Sequence, residues 1–159
     1  MKKIFTITIN LFLIIALLSA TSCNKKEGCT DPLADNFDPS AELENNTCIN
    51  AREKFVGVYL AYDNCAFVQK NYVVEILKSN SNLTDILIYN IHNLSAMPVK
   101  AKVTGSSFVI RNQNISQTRR IEGSGSILGN VIQLNFLTKV GTGPNTPQNF
   151  EICQSTFTK

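Results

Sequence analysis

Beyond residue 54 apolar and polar side chains change places at every second position, the period of a strand with one face buried. Phe55 to Tyr62 is rich in β-formers, with Val56, Val58, Leu60 and Tyr62 on one face and Phe55, Gly57, Tyr59 and Ala61 on the other. Tyr72 to Lys78 reads as a second strand, Ser79-Asn80-Ser81-Asn82 as a turn, and Leu83 to Tyr89 as a third strand. In the fourth, Met97 to Thr104, Val99, Ala101 and Val103 alternate with Lys100 and Lys102. Gly105-Ser106 joins it to Ser107–Arg111 as a short hairpin, the glycine being free to take a positive φ. The clearest hairpin runs from Arg119 to Leu128, turns at Gly129-Asn130 and returns along Val131 to Leu137. There Ile132, Leu134 and Phe136 share one face, and Gln133 and Asn135 the other. Gly141 to Pro147 is loop by composition, and Phe150 to Phe157 forms a last strand.

No helix of ten or more residues is visible in this pattern. About eight short strands, each next to its neighbour in sequence, predict an all-β fold over residues 52–159. The expected form is an antiparallel meander that closes as a small barrel; a β-sandwich is the alternative. Closure removes exposed edges, which favours the barrel. Phe55, Phe67, Phe108, Phe136, Phe150 and Phe157 suffice to fill a small barrel, which argues against a large internal cavity.

The start of the chain is different in kind. Lys2 and Lys3 precede an apolar run from Ile4 to Leu18, broken only by Thr6, Thr8 and Asn10, and Ser19, Ala20, Thr21 and Ser22 follow it. A charged region, an apolar region and a small-residue zone make a signal peptide over residues 1–22. The run is shorter than the roughly 20 apolar residues a spanning helix needs. Cys23 stands where this segment ends, and the arrangement resembles the lipobox of bacterial lipoproteins. That resemblance implies a Cys23 that is lipidated on sulfur, becomes the first mature residue and is acylated on its amine, by chains such as palmitate. Ala20 replaces the usual Leu, and Ser22 the more frequent Ala or Gly. An ordinary secretory signal with Cys23 left as a free thiol is the alternative. Five cysteines favour lipidation, since removing Cys23 from the pool leaves an even four. Several acyl chains, at about 0.8 kcal/mol per buried CH₂, hold a protein on a membrane where one chain is marginal. The expected location is the outer membrane, facing the cell surface or the periplasm.

Residues 23–28 read as a short tether and residues 29–48 as an acidic loop with Asp-Pro twice and apolar residues only as singletons. Residues 24–51 carry six acids against two lysines, and residues 52–159 eleven bases against six acids. Without Lys2 and Lys3 the balance is thirteen bases to twelve acids, so nothing suggests nucleic acid as a partner. Cys29 and Cys48 would close the loop in an oxidising envelope, a bridge worth about 3 kcal/mol in the chain-entropy model. Gly28-Cys29-Thr30-Asp31-Pro32 resembles the opening of a short module found in surface and secreted proteins of Gram-negative bacteria. The closing Glu44-Asn45-Asn46-Thr47-Cys48 departs from that module's Asp-Asp-Gly-Ser-Cys, and Phe37 replaces a Tyr. Asp31, Asn36 and Asp38 are the candidate ligands for a Ca²⁺ ion, against the simpler reading that they cap turns.

Cys65 follows the first strand and Cys153 lies in the last. First and last strands adjoin in a closed meander, so a Cys65–Cys153 bridge is expected, although four cysteines allow three connectivities. The first Gly-x-Tyr strand, the meander and the Gly-rich late hairpin look like the lipocalin-like modules of envelope lipoproteins. Tyr59 stands nearest to the Trp usual in the first lipocalin strand. The resemblance implies a module that binds an apolar small molecule at the barrel mouth or a partner protein. A structural or adhesive role without a pocket is the alternative.

Enzymatic chemistry finds little support. Gly123-Ser124-Gly125 lies within a hairpin, where it marks a bulge or close packing rather than a phosphate loop. The one histidine, His92, has no Cys or carboxylate at metal-ligand spacing and reads as a solvated loop residue. No serine stands in a nucleophile elbow, and no catalytic residues are expected. Arg119, Arg120, Lys100, Lys102 and Arg111 read as the wet face of a sheet, with a basic patch for anionic groups as the alternative.

Overall fold

The computed structural model describes residues 25–94, 97–141 and 149–159; the leader, Cys23 and most of the 141–147 loop lie outside them. Two short strands come first, β1 (Glu27–Gly28) and β2 (Leu43–Glu44), paired in parallel. Eight more follow: β3 (Gly57–Cys65), β4 (Gln69–Lys78), β5 (Asp85–Tyr89), β6 (Val99–Thr104), β7 (Ser107–Asn114), β8 (Arg119–Leu128), β9 (Val131–Val140) and β10 (Asn149–Thr158). They form a closed antiparallel barrel in sequence order, β10 sealing against β3, so the sandwich alternative is set aside. The seam is a continuous register from Cys153↔Cys65 to Thr158↔Leu60.

Alternation decides which side chains enter. Tyr59, Ala61, Val74, Ile76, Ile86, Ile88, Val99, Ala101, Val103, Ile132, Leu134, Phe136 and Phe157 all point inward and are buried. Burying one such side chain stabilises the fold by about 1.5–3 kcal/mol. Gly123 and Gly125 share the inward parity of Ile121 and Ile127 on β8, and they leave room for rings. A Cβ at Gly125 would lie 2.8 Å from Phe108 Cε1, and one at Gly123 would lie 2.8 Å from Phe136 Cβ. Close packing is therefore the role of this pair. The bulge is in β7, between Ile110 and Gln113.

The two ends of the barrel are closed in different ways. At the end where β3 begins, a 3₁₀ turn (Ala51–Phe55) lies across the opening with Phe55 fully buried. Phe55 thus belongs to this turn rather than to the first strand. Its ring meets Phe108 edge to face at 5.5 Å, and its carbonyl accepts from Tyr59 Oη at 2.8 Å. Buried Arg52 donates to the carbonyls of Ser79 and Asn82 at 2.8 and 2.7 Å, fixing the β4–β5 loop. The acidic loop sits against this end: Asp35 pairs with Lys54 at 2.8 Å, and Ala34 bridges to Asn50. At the opposite end, polar and charged side chains enter the barrel.

Candidate functional site

β3 continues inward past Ala61 with Asp63 and Cys65, and β10 brings in Glu151, Cys153 and Ser155 from the adjoining strand. Each lies two positions from the next, so parity alone directs them all to the interior. Tyr72 enters from β4 and Thr138 from β9. The last member comes from a 3₁₀ turn (Ile91–Asn93) after β5. Asn90, His92 and Asn93 there adopt φ of 60°, 56° and 56°. A left-handed conformation costs a non-glycine residue about 1–3 kcal/mol, an amount that the surrounding contacts must offset. The turn carries His92 into the barrel, where it is only 3% exposed. The expectation of a solvated loop histidine is corrected: linear spacing gave it no partners, and the fold supplies them from β3 and β10.

Asp63 is the centre of the cluster. Its Oδ1 accepts hydrogen bonds from Tyr72 Oη at 2.7 Å and from Ser155 Oγ, and its Oδ2 lies 2.7 Å from His92 Nδ1. Tyr72 Oη also accepts from the His92 backbone N–H at 2.9 Å, and Lys70 Nζ donates to the His92 carbonyl at 2.5 Å. Burial and then the Asp63 charge push the Tyr72 phenol well above its ordinary range. Burial pulls the Lys70 ammonium down, partly opposed by the charges of Asp63 and Glu151. On the other side of the ring, Nε2 lies 3.5 Å from Glu151 Oε2. The other oxygen, Glu151 Oε1, is buried and has no hydrogen-bond partner among the described residues. An unsatisfied carboxylate oxygen of this kind costs more than an ordinary unmade hydrogen bond.

Glu151 stands in the wall of a cavity of about 510 Å³ at the barrel mouth, lined also by Phe67, Val68, Arg119, Thr138 and Phe150. Phe67 and Phe150, expected inside, are 85% and 62% exposed and form its lip. Four aromatic rings, Phe55, Phe108, Phe136 and Phe157, fill the interior with Tyr59, whereas Phe150 has the outward parity of Ile152 and Phe67 lies in the β3–β4 turn. Ser155 donates to Asp63 rather than to His92, so the imidazole does not activate this hydroxyl.

The remaining sequence candidates fall elsewhere. The disulfides are Cys29–Cys48 and Cys65–Cys153, the second at the edge of the polar cluster. Asp31, Asn36 and Asp38 each hold local partners. Asp31 Oδ1 accepts from the Leu33 N–H at 2.9 Å, Asn36 spans the Thr47 carbonyl and the Ile49 N–H, and Asp38 binds Ser40 and Lys26. Lys100, Lys102 and Arg111 line one outer cavity with Asp85, which pairs with Lys100 at 2.9 Å, whereas Arg119 belongs to the mouth. The basic residues thus do not form one patch. Asp63, Tyr72, Glu151 and Ser155 were not anticipated; the parity of Cys65 and Cys153 would have found three of them. Compared with protein-family models, with curated proteins and with solved structures, the chain has no significant match.

Proposed function

We propose that the chain is a lipid-anchored envelope protein displaying its barrel as a binding module, with the ligand taken at the mouth formed by Phe67, Phe150, Arg119 and Glu151. The observation that carries this reading is Glu151 in the wall of an aromatic-lipped cavity, its Oε1 without a hydrogen-bond partner among the described residues. Such a wall suits a small molecule with an apolar body and one cationic or hydrogen-bond-donating group. The filled interior argues against a ligand held deep within. Four of the five cysteines are paired, which leaves Cys23 for the anchor. The tether enters through the acidic loop at the 3₁₀-closed end, so an anchor on Cys23 leaves the mouth at the far end of the barrel. No catalytic role is proposed.

Native mass spectrometry of the protein purified from its own envelope tests the reading. A co-purifying small molecule that is lost in Glu151→Gln supports it, and a bare mass for the wild type overturns it. Lipidation is read separately, by incorporation of an alkyne fatty acid that Cys23→Ser abolishes. A second reading, docking of a partner protein, is favoured by the outward apolar stripe Val58, Leu60, Tyr62 and Val73, in which Leu60 and Val73 are paired neighbours. Loss of a cross-linked partner in Leu60→Lys, with mouth binding intact, would select it.

A further inference from the structure

We propose that reduction of the Cys65–Cys153 disulfide converts the mouth cluster into a zinc site, with two thiolates, His92 Nε2 and a Glu151 carboxylate oxygen as its four ligands. Ligand atoms of these residues already lie within 4.8 Å of one another. Tetrahedral zinc, with bonds of about 2.0–2.3 Å, sets its ligand atoms about 3.3–3.8 Å apart. His92 Nε2 and Glu151 Oε2, at 3.5 Å, meet that spacing without movement. Cys65 and Cys153 are directly opposed on adjoining strands, so their sulfurs need only part by side-chain rotation. Thiolate and imidazole together suit zinc over the hard cations that prefer oxygen.

Two further features point to a cation here. Asp63 Oδ2, 2.7 Å from Nδ1, holds that side of the ring and turns Nε2 toward Glu151. A carboxylate holding the far nitrogen of a metal-binding histidine is the usual outer partner of such sites, and Tyr72 and Ser155 hold Asp63 in turn. Glu151 then brings Oε2 to 3.5 Å from Nε2, while its Oε1 has no partner among the described residues. A metal ion bound by Nε2 and by one Glu151 oxygen would engage both groups at once.

The chemistry balances. A dithiol supplies two electrons and two protons, its own sulfurs joining as a disulfide while the Cys65–Cys153 bond breaks. Zinc then displaces the two cysteine protons to solvent. The inference does not rest on the mouth ligand, because metal binding is read without one. Zinc would occupy Glu151, so the reduced, loaded protein would refuse the ligand that the oxidised protein accepts.

The test uses the full-length protein in detergent carrying Cys29→Ser and Cys48→Ser, so that only the mouth disulfide reacts. After anaerobic reduction with a phosphine, cobalt is titrated and then displaced by zinc. One cobalt per chain is expected, with thiolate charge-transfer bands and the strong visible bands of a tetrahedral ion, and none in the oxidised sample. Asp63→Asn should weaken zinc about 10–100-fold while keeping the thiolate band, as loss of an outer partner does. His92→Gln should shift the visible bands. X-ray absorption on the zinc-loaded protein should count two sulfurs and two nitrogen or oxygen ligands, which keeps the test sound if a cluster variant does not fold. Equal binding by the oxidised protein, a different sulfur count, or reduced protein that gives no cobalt bands, whether its sheet signal is kept or lost, each overturns the proposal.

Discussion

Replacing Cys65 and Cys153 by alanine should destabilise the barrel far more than the same change at Cys29 and Cys48. The bridges span 88 and 19 residues of sequence. In the chain-entropy model they constrain the unfolded chain by about 4.6 and about 3.2 kcal/mol respectively. The location matters more than this difference. Cys65–Cys153 ties the two ends of the barrel chain across the β3–β10 seam, so its whole effect falls on barrel unfolding. Cys29–Cys48 closes a loop that meets the barrel through the Asp35–Lys54 pair and the Ala34–Asn50 bridge, contacts of at most about 1 kcal/mol. At an unfolding entropy of about 2.1 cal/mol/K per residue over roughly 100 barrel residues, 4.6 kcal/mol lowers Tm by roughly 20 °C. The barrel should still close, because the register from Cys153↔Cys65 to Thr158↔Leu60 persists without the bridge. Urea unfolding followed by circular dichroism reads both quantities, and a larger m should accompany loss of the long bridge as the unfolded chain expands. A barrel midpoint unchanged in Cys65→Ala/Cys153→Ala, or lowered equally by Cys29→Ala/Cys48→Ala, would refute the reasoning.

Gly125→Ala should cost about 1–3 kcal/mol by driving a methyl against the Phe108 ring, and Phe108→Leu in the same chain should recover part of the loss in urea unfolding. Burial raises the Tyr59 phenol to about 12 and pushes Tyr72 higher still, so the folded state favours their neutral forms. Stability from both is complete below the ordinary value of 10.0 and falls as pH rises through and beyond it. Tyr59→Phe should remove the matching late phenolate absorbance. Hydrogen bonds from Lys26 and then Ser40 hold Asp38 down to about 2. The loop order they support is present above the unfolded carboxylate value and is lost as pH falls toward 2; the Asp38 carboxyl ¹³C shift should titrate there, and nearer its ordinary value in Lys26→Ala.

Strands were legible wherever one face is plainly polar. Val99, Ala101 and Val103 against two lysines, and Ile132, Leu134 and Phe136 against Gln133 and Asn135, identify the inner face unaided. β3 is apolar on both faces, and its alternation cannot say which enters. The barrel buries Tyr59 and Ala61 and leaves Val58, Leu60 and Tyr62 outside. Phe55 has the composition of a strand, yet it caps the opening from a 3₁₀ turn because its ring completes the packing around Phe108. Phe150 is exposed because it shares the outward parity of Ile152 on β10, and Phe67 because it lies in the turn between β3 and β4. His92 was hidden for a related reason: three positive φ values fold its segment back into the barrel, and no spacing rule encodes that return.

The contrast between the two barrel ends bears on why the polar cluster exists. One end shows that this chain can close an opening with a buried aromatic ring and a turn whose arginine reaches backbone carbonyls. The same solution at the other end would serve stability better, since replacing buried ion pairs by well-packed apolar groups is often neutral or stabilising. Instead Asp63 and His92 are buried together beside a half-buried Glu151, the histidine is held in a left-handed conformation, and one carboxylate oxygen has no partner among the described residues. Each of these features opposes folding, and together they concentrate where a cavity opens to solvent. Local rules broken at one place, with a conventional alternative displayed elsewhere in the same barrel, are the physical ground on which the proposed binding site rests.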